Sequence, residues 1–241
     1  MRFGFYLNPI VRLRNSETAG EPEPAVVAGL AAAAGAQLIL AGWTPVGGDV
    51  TERDIRLIRE VVHVDLMLVT PQDRNLVEPV VKLQPQGVVL VASGWDGRRD
   101  FRPVQLEVDA EEVGSVASAY KSAGLHVSFL IEPDPNAVKI AARQGLSGIV
   151  LNASVFAAAR TDEEAQTELD RIADATMVGH KFGLHTAVGH GLTYHSIGVI
   201  AELAYLGGIY AGRAVAARAI ICGIDRAVRD IIAEMDRNRA V

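Results

Sequence analysis

Along the chain, apolar residues follow two rhythms that alternate from end to end. Short runs rich in aliphatic and β-branched residues cover 2–7, 38–41, 65–69, 87–91, 126–131, 148–152, 184–188 and 208–211. Between them apolar positions recur every three or four residues, the spacing of one helix face. The punctuation agrees with this division. Pro22 and Pro24 suit the first turn of a helix. Thr51 and Asp109 each stand three residues before an acid, Asp54 and Glu112, in the manner of an N-terminal cap. Gly35, Gly124, Gly145 and Gly183 fall where helices close before strands. The last helix is predicted as one long element over 214–238. Eight strands, each followed by a helix, predict an α/β fold of the TIM (β/α)8-barrel kind, with 1–241 as a single domain.

Composition narrows the partners. Nearly half of the 241 residues are apolar, enough for a large core without covalent staples. A net charge of −6 leaves nothing to neutralise a phosphate backbone, so no nucleic-acid partner is expected. The one cysteine, Cys222, excludes a disulfide framework and a thiolate metal site within the chain. The opening MRFGFYLNPI lacks the apolar core and small-residue cleavage site of a signal peptide. The uncharged stretch 25–44 is long enough to span a membrane, but it is rich in Ala and Gly, and Gly35 divides it into helix and strand. The expectation is a soluble, cytoplasmic protein with no membrane contact.

In such a barrel, chemistry belongs at the C-terminal ends of the strands. That singles out Tyr6 and Asn8, 42–44, 67–70, 92–95, Glu132, 152–154, 189–191, and Gly212 with Arg213. The stretch TAVGHGLTYHS (186–196) places His190 between two glycines, which permit close approach by a ligand or another backbone. Loops seven and eight of these barrels often bind phosphate through backbone N–H groups. On spacing alone His190 is either an acid–base group or a structural histidine hydrogen-bonded beneath its loop. His195 reads as a helix cap or packing residue. His180, His185, His190 and His195 span a helix end, a strand and a loop, and cannot converge on one ion. No metal and no cofactor are expected. Tyr6, Trp43, Trp95 and Phe156 are candidate aromatics of the mouth, and Arg213 is placed to hold an anion.

Several motifs then resemble one family. GHGLTYH (189–195) is similar to the seventh-strand motif of the pyridoxine 5′-phosphate synthases. TERDIRLIR (51–59) is similar to their second helix, AGLHVSFLIEPD (123–134) to their fifth strand, and LRN (13–15) to their first loop. AGRAVAARAIICGIDRAV (211–228) is similar to their eighth-strand loop and closing helices. The resemblance covers essentially the whole chain and implies the barrel fold. It also implies an ancestral condensation of 1-deoxyxylulose 5-phosphate with 3-amino-2-oxopropyl phosphate, and a homo-oligomer of barrels packed side by side. The alanine-rich face of 28–34 and the last helix are the surfaces expected to serve that packing.

The chain departs from the family where the family does its chemistry. An Asn-x-Asp-His pattern after the first strand is replaced by Tyr6, Leu7, Asn8 and Pro9. A catalytic His-x-Arg after the second is replaced by Gly42, Trp43 and Thr44, and a substrate-binding histidine further on by Asp49. The third-strand catalytic glutamate has no counterpart among residues 67–69. A phosphate-binding arginine of the first loop appears as Glu17, and a Gly-His pair of the eighth as Gly212 and Arg213. Of three acid–base groups only the proton-donor histidine survives, as His190. The expected site is therefore His190 as the catalytic group, with Tyr6, Asn8, Trp43, Asp49, Met67, Asn152, Gly191, Gly212 and Arg213 around a small-molecule, anion-bearing substrate. Three readings stand: a divergent condensing, cyclising or dehydrating enzyme, a genuine pyridoxine 5′-phosphate synthase with relocated bases, and a non-catalytic binding protein.

Overall fold

The computed structural model describes residues 1–16, 20–98, 101–108 and 110–239. Its strands are β1 (Arg2–Tyr6), β2 (Leu38–Gly42), β3 (Asp65–Pro71), β4 (Gly87–Val91), β5 (His126–Ile131), β6 (Gly148–Asn152), β7 (His185–Gly189) and β8 (Gly208–Ala211). Each pairs in parallel with the next, and β8 returns to β1, closing a TIM barrel. All eight expected strands are present, with ends shifted by at most two residues. Both faces of every strand are covered, which is why the runs read as continuously apolar. Inward residues such as Leu38, Leu40, Val69, Val89, Leu130, Val150 and Tyr210 form one cluster. Their outward neighbours Ile39, Ala41, Leu68, Val88, Leu90, Phe129 and Leu151 join a second, larger core beneath the helices.

The helices are α1 (Asn8–Asn15), α2 (Pro24–Ala33), α3 (Glu52–Val61), α4 (Val77–Lys82), α5 (Ala110–Ser122), α6 (Pro135–Arg143), α7 (Ser154–Ala158), α8 (Asp162–Lys181), α9 (Tyr194–Ala201), α10 (Arg213–Cys222) and α11 (Ile224–Arg237). The cap at Thr51 forms as expected: its hydroxyl accepts from Asp54 N at 3.2 Å while the Asp54 carboxylate accepts from Thr51 N at 2.8 Å. The four helix-closing glycines all have positive φ. Asp109 and Glu17 lie outside the described residues.

Four expectations need correction. The last helix is two: Gly223, at φ +80°, ends α10 and turns α11 back to pack against α9 and α2. Residues 13–15 lie in a helix, α1, that begins as soon as β1 ends. The cap of α9 is Thr193, paired with Ser196, and His195 is an exposed residue of its first turn. Finally, Ala28, Ala31 and Ala34 are buried within the chain, so of the 28–34 stretch it is Leu30 and Ala33 that stay exposed. Among the described residues no helix is long and apolar enough to cross a membrane.

One ionic knot fixes the β1–β3 side. Arg14 of α1 gives Asp54 two hydrogen bonds, of 2.6 and 3.0 Å, and the Asp54 side chain is 1% exposed. Burial works against ionisation of Asp54, but the bonds from Arg14 and Thr51 outweigh it and hold its carboxyl below the usual aspartate range. Arg14 and Asn15 also donate to the backbone oxygen of Asp49, pinning the loop after β2 to α1.

Candidate active site

A cavity of about 330 Å³ opens at the C-terminal ends of the strands. Its floor is apolar: Leu40, Val69, Val89, Leu130 and Val150 from five successive strands, with Tyr210 of β8. Burial pushes the Tyr210 phenol up to about 12, so that side chain stays neutral at physiological pH. The rim carries Arg12 of α1, Phe101 of the β4–α5 loop, His190 to Leu192, and Gly212 with Arg213. Among the described residues lining it there is no aspartate or glutamate. The charged side chains of the rim are Arg12, which pairs with Asp49 outside the cavity at 3.1 Å, and Arg213.

His190 owes its position to the end of β7. It takes φ +67° and Gly191 φ +85°, two consecutive left-handed residues. A Cβ at Gly191 would also come within 2.8 Å of Ser154 Cα, so the second position suits glycine alone. The imidazole stacks on Phe101, with ring centroids 4.8 Å apart and planes at 28°. Its Nδ1 lies 3.0 Å from Asn152 Oδ1. Asn152 in turn donates from Nδ2 to Glu132 Oε1 at 3.0 Å and accepts at Oδ1 from Ser154 N at 3.1 Å. Phe101 meets Tyr6 and Trp95 edge-on, with centroids 5.6 and 5.4 Å away. An aromatic wall thus faces the histidine.

Of the residues expected around the substrate, Tyr6, His190, Gly191, Gly212 and Arg213 line the cavity. The others stand elsewhere, each for a local reason. Asn8 is fully buried and bridges β1 to β2, donating to Gly42 O at 3.1 Å and accepting from Gly42 N at 2.6 Å. Trp43 lies in the helix-facing core, because alternation turns Gly42 inward and its neighbour outward. Asp49 is engaged by Arg12 at 3.1 Å, behind the rim. Met67 packs in the barrel interior but does not line the cavity; Val69, two residues on, does. Asn152 stands behind His190. Of the further mouth aromatics, Phe156 packs against the outer core, and Trp95 lies in the interior cluster beside Phe101.

The end of β2 is the most altered place. A Cβ on Gly42 would meet Trp95 Cη2 at 2.5 Å, Tyr6 Oη at 2.6 Å and Asn8 Nδ2 at 2.8 Å. The space where the family resemblance places a catalytic histidine is filled by two aromatic side chains. Sequence reasoning missed Phe101, Arg12 and Tyr210. Phe101 lies in a loop with no periodicity to flag it. Arg12 was legible as the residue one turn after Asn8, and Tyr210 as the inward residue two before Gly212. Among the described residues no three His, Cys, Asp or Glu side chains gather as metal ligands.

Over residues 3–237 the chain matches the model of the family described as pyridoxal phosphate biosynthesis protein PdxJ. It is 31% identical over 224 residues to the pyridoxine 5′-phosphate synthase of Desulforapulum autotrophicum, covering 93% of this chain and 94% of that one. With the synthase of Idiomarina loihiensis it shares 27% over 239 residues, 99% of each chain. Similar solved structures include KGPDC from Streptococcus mutans, with a TM-score of 0.62 at 12% identity over 98% of this chain and 97% of that one. Tryptophan synthase from M. tuberculosis gives 0.61 at 13% over 97% and 92%. At such identities these two likenesses speak for the fold alone.

Proposed function

The chain belongs to the PdxJ family of pyridoxal phosphate biosynthesis proteins, and from that premise we propose that it is a divergent enzyme of the family with an altered substrate. In this reading it carries out a condensation, cyclisation or dehydration on a small molecule with an apolar or aromatic body and one anionic group. His190 is its general acid and base, and the setting is the biosynthesis of a specialised metabolite. The observation that carries the reading is the cavity itself: an aliphatic floor with one histidine and no carboxylate among its described lining residues. The reaction implied by the resemblance needs further groups able to move protons, and neither Gly42 nor Met67 accepts one. Losing a single general acid or base costs about 10²–10⁴ in rate.

One well-placed acid in a desolvated pocket supports a dehydration. The imidazolium gives its proton to a departing hydroxyl as the C–O bond breaks and water leaves. The neutral ring then takes the proton lost from the adjacent carbon. The floor favours a ligand that sheds hydration water there. The anionic end is served by backbone N–H groups at Gly191 and Gly212 and by the Arg213 guanidinium. The open cavity supports a catalytic reading over a binding protein with a filled mouth.

The test supplies purified protein with 1-deoxyxylulose 5-phosphate and 3-amino-2-oxopropyl phosphate together. No pyridoxine phosphate above background is expected, and sustained synthesis overturns the proposal. A thermal-shift panel of aromatic monocarboxylates and monophosphates is expected to stabilise the protein where bisphosphates do not; the reverse ranking counts against the apolar, singly charged ligand.

A further inference from the structure

Three side chains from consecutive strand ends form a hydrogen-bonded line that ends at the cavity wall. Glu132 follows β5, Asn152 ends β6 and His190 follows β7. The Asn152 amide is fixed by two bonds of opposite sense. A carboxylate only accepts, so the contact of 3.0 Å with Glu132 Oε1 sets the NH2 end toward Glu132. A backbone N–H only donates, so the contact of 3.1 Å with Ser154 N sets the oxygen end on the other side. That oxygen is the atom 3.0 Å from His190 Nδ1. Nδ1 therefore faces an acceptor whose orientation it does not itself determine.

We propose that Glu132 and Asn152 are positioning residues that keep the proton of neutral His190 on Nδ1, making Nε2 the nitrogen that takes up and releases a proton. A ring in the other tautomer would present an N–H where the reaction needs a base. Stacking on Phe101 adds a second restraint, against rotation of the ring. The amide orients the imidazole without setting a full charge beside it; the charge of Glu132 stands one side chain further off. The remaining charged groups of the rim are Arg213 on α10 and Arg12 on α1. Asn152, 4% exposed, thus acts through His190 and not on the substrate.

The inference rests on His190 being the acid–base group proposed above, yet the two are separable because the test needs no substrate. Long-range 1H–15N correlation spectra of the whole protein report which ring nitrogen carries the proton, with His190 identified as the signal missing from His190→Gln. The neutral form is expected to show the proton on Nδ1; a proton on Nε2 overturns the inference. Asn152→Asp keeps the acceptor and adds charge, so the Nδ1–H form should persist and the titration midpoint of His190 should rise by about one pH unit or more. An unchanged midpoint overturns it. Asn152→Leu removes the acceptor and is expected to release the ring into a tautomer mixture, whereas retention of pure Nδ1–H overturns it. If that variant does not fold, the wild-type and Asn152→Asp spectra still decide. Full turnover in His190→Gln with the expected tautomer would sink the role of His190 and leave the positioning pair standing.

Discussion

From β5 round to β8 the strand ends carry Glu132, Asn152, His190 and Arg213, the first three joined by hydrogen bonds. On the β1 to β4 side the interior carries Tyr6, Gly42, Val69 and Val89, Trp95 and Phe101 pack edge to face, and the rim carries Arg12 of α1. The linked polar side chains lie on the first of these sides, and the aromatic cluster lies on the second, with Arg12 at its rim. The strands join by backbone hydrogen bonds that do not depend on side-chain identity, so one half of a barrel mouth can be rebuilt while the other keeps its geometry. The family resemblance puts acid–base groups on both sides. In the proposed reading, the aromatic side serves recognition of the ligand body.

Removing the chemistry of the polar half should produce the largest effect. His190→Ala is expected to lower kcat on the native substrate by about 10²–10⁴-fold, with steady-state kinetics showing KM changed far less. A matching fall in affinity with kcat intact would assign His190 to binding.

The next effect tests what holds the apolar half in place. Asp54→Ala leaves Arg14 without its buried partner and should destabilise the fold by about 3–5 kcal/mol in denaturant melts. The same ion pair sets an acid limit. Because the folded carboxyl lies below the usual range, its contribution is complete above the unfolded aspartate value of about 4 and is lost as the pH falls through the lower folded value. Asp54→Asn should lack that part of the acid limb; identical acid profiles for variant and wild type would refute the assignment.

Gly42→Ala probes the wall directly. The new methyl must displace Trp95 or Tyr6, at a cost of about 1–3 kcal/mol, and ligand affinity should fall while the His190 tautomer stays the same. A shift in the histidine spectrum would mean that the two halves are coupled. The smallest effect is expected at Arg213. Its side chain is exposed, so Arg213→Gln should weaken anion binding by about 1 kcal/mol or less, within roughly fivefold.

The barrel was legible because parallel strands covered on both faces read as unbroken apolar runs, as GVVLV does in β4. The same property hid which residues point inward. In LILAG of β2 both faces are apolar, so nothing in the sequence told that Gly42 faces the barrel interior and Trp43 the helices. The break at Gly223 was hidden for a related reason: a single glycine is tolerated within a helix at about 1 kcal/mol, and helical spacing continues on both sides of it. His190 stood out because its flanking glycines mark a tight backbone. Phe101 did not, since its partners lie on β1, on its own loop and beyond β7, and only folding brings them together.

The backbone at His190 has a bearing on how this lineage changes with time. A left-handed conformation costs a residue with a side chain about 1–2 kcal/mol, a sizeable part of a total stability of about 5–15 kcal/mol. Glycine would hold the turn at φ +67° without that cost. A descendant in which the acid–base role was lost would thus find exchange for glycine open at position 190, the strain relieved outweighing the added chain entropy of about 0.5–1 kcal/mol. If His190 has the proposed acid–base role, glycine at this position among close relatives marks the candidates for having given up chemistry.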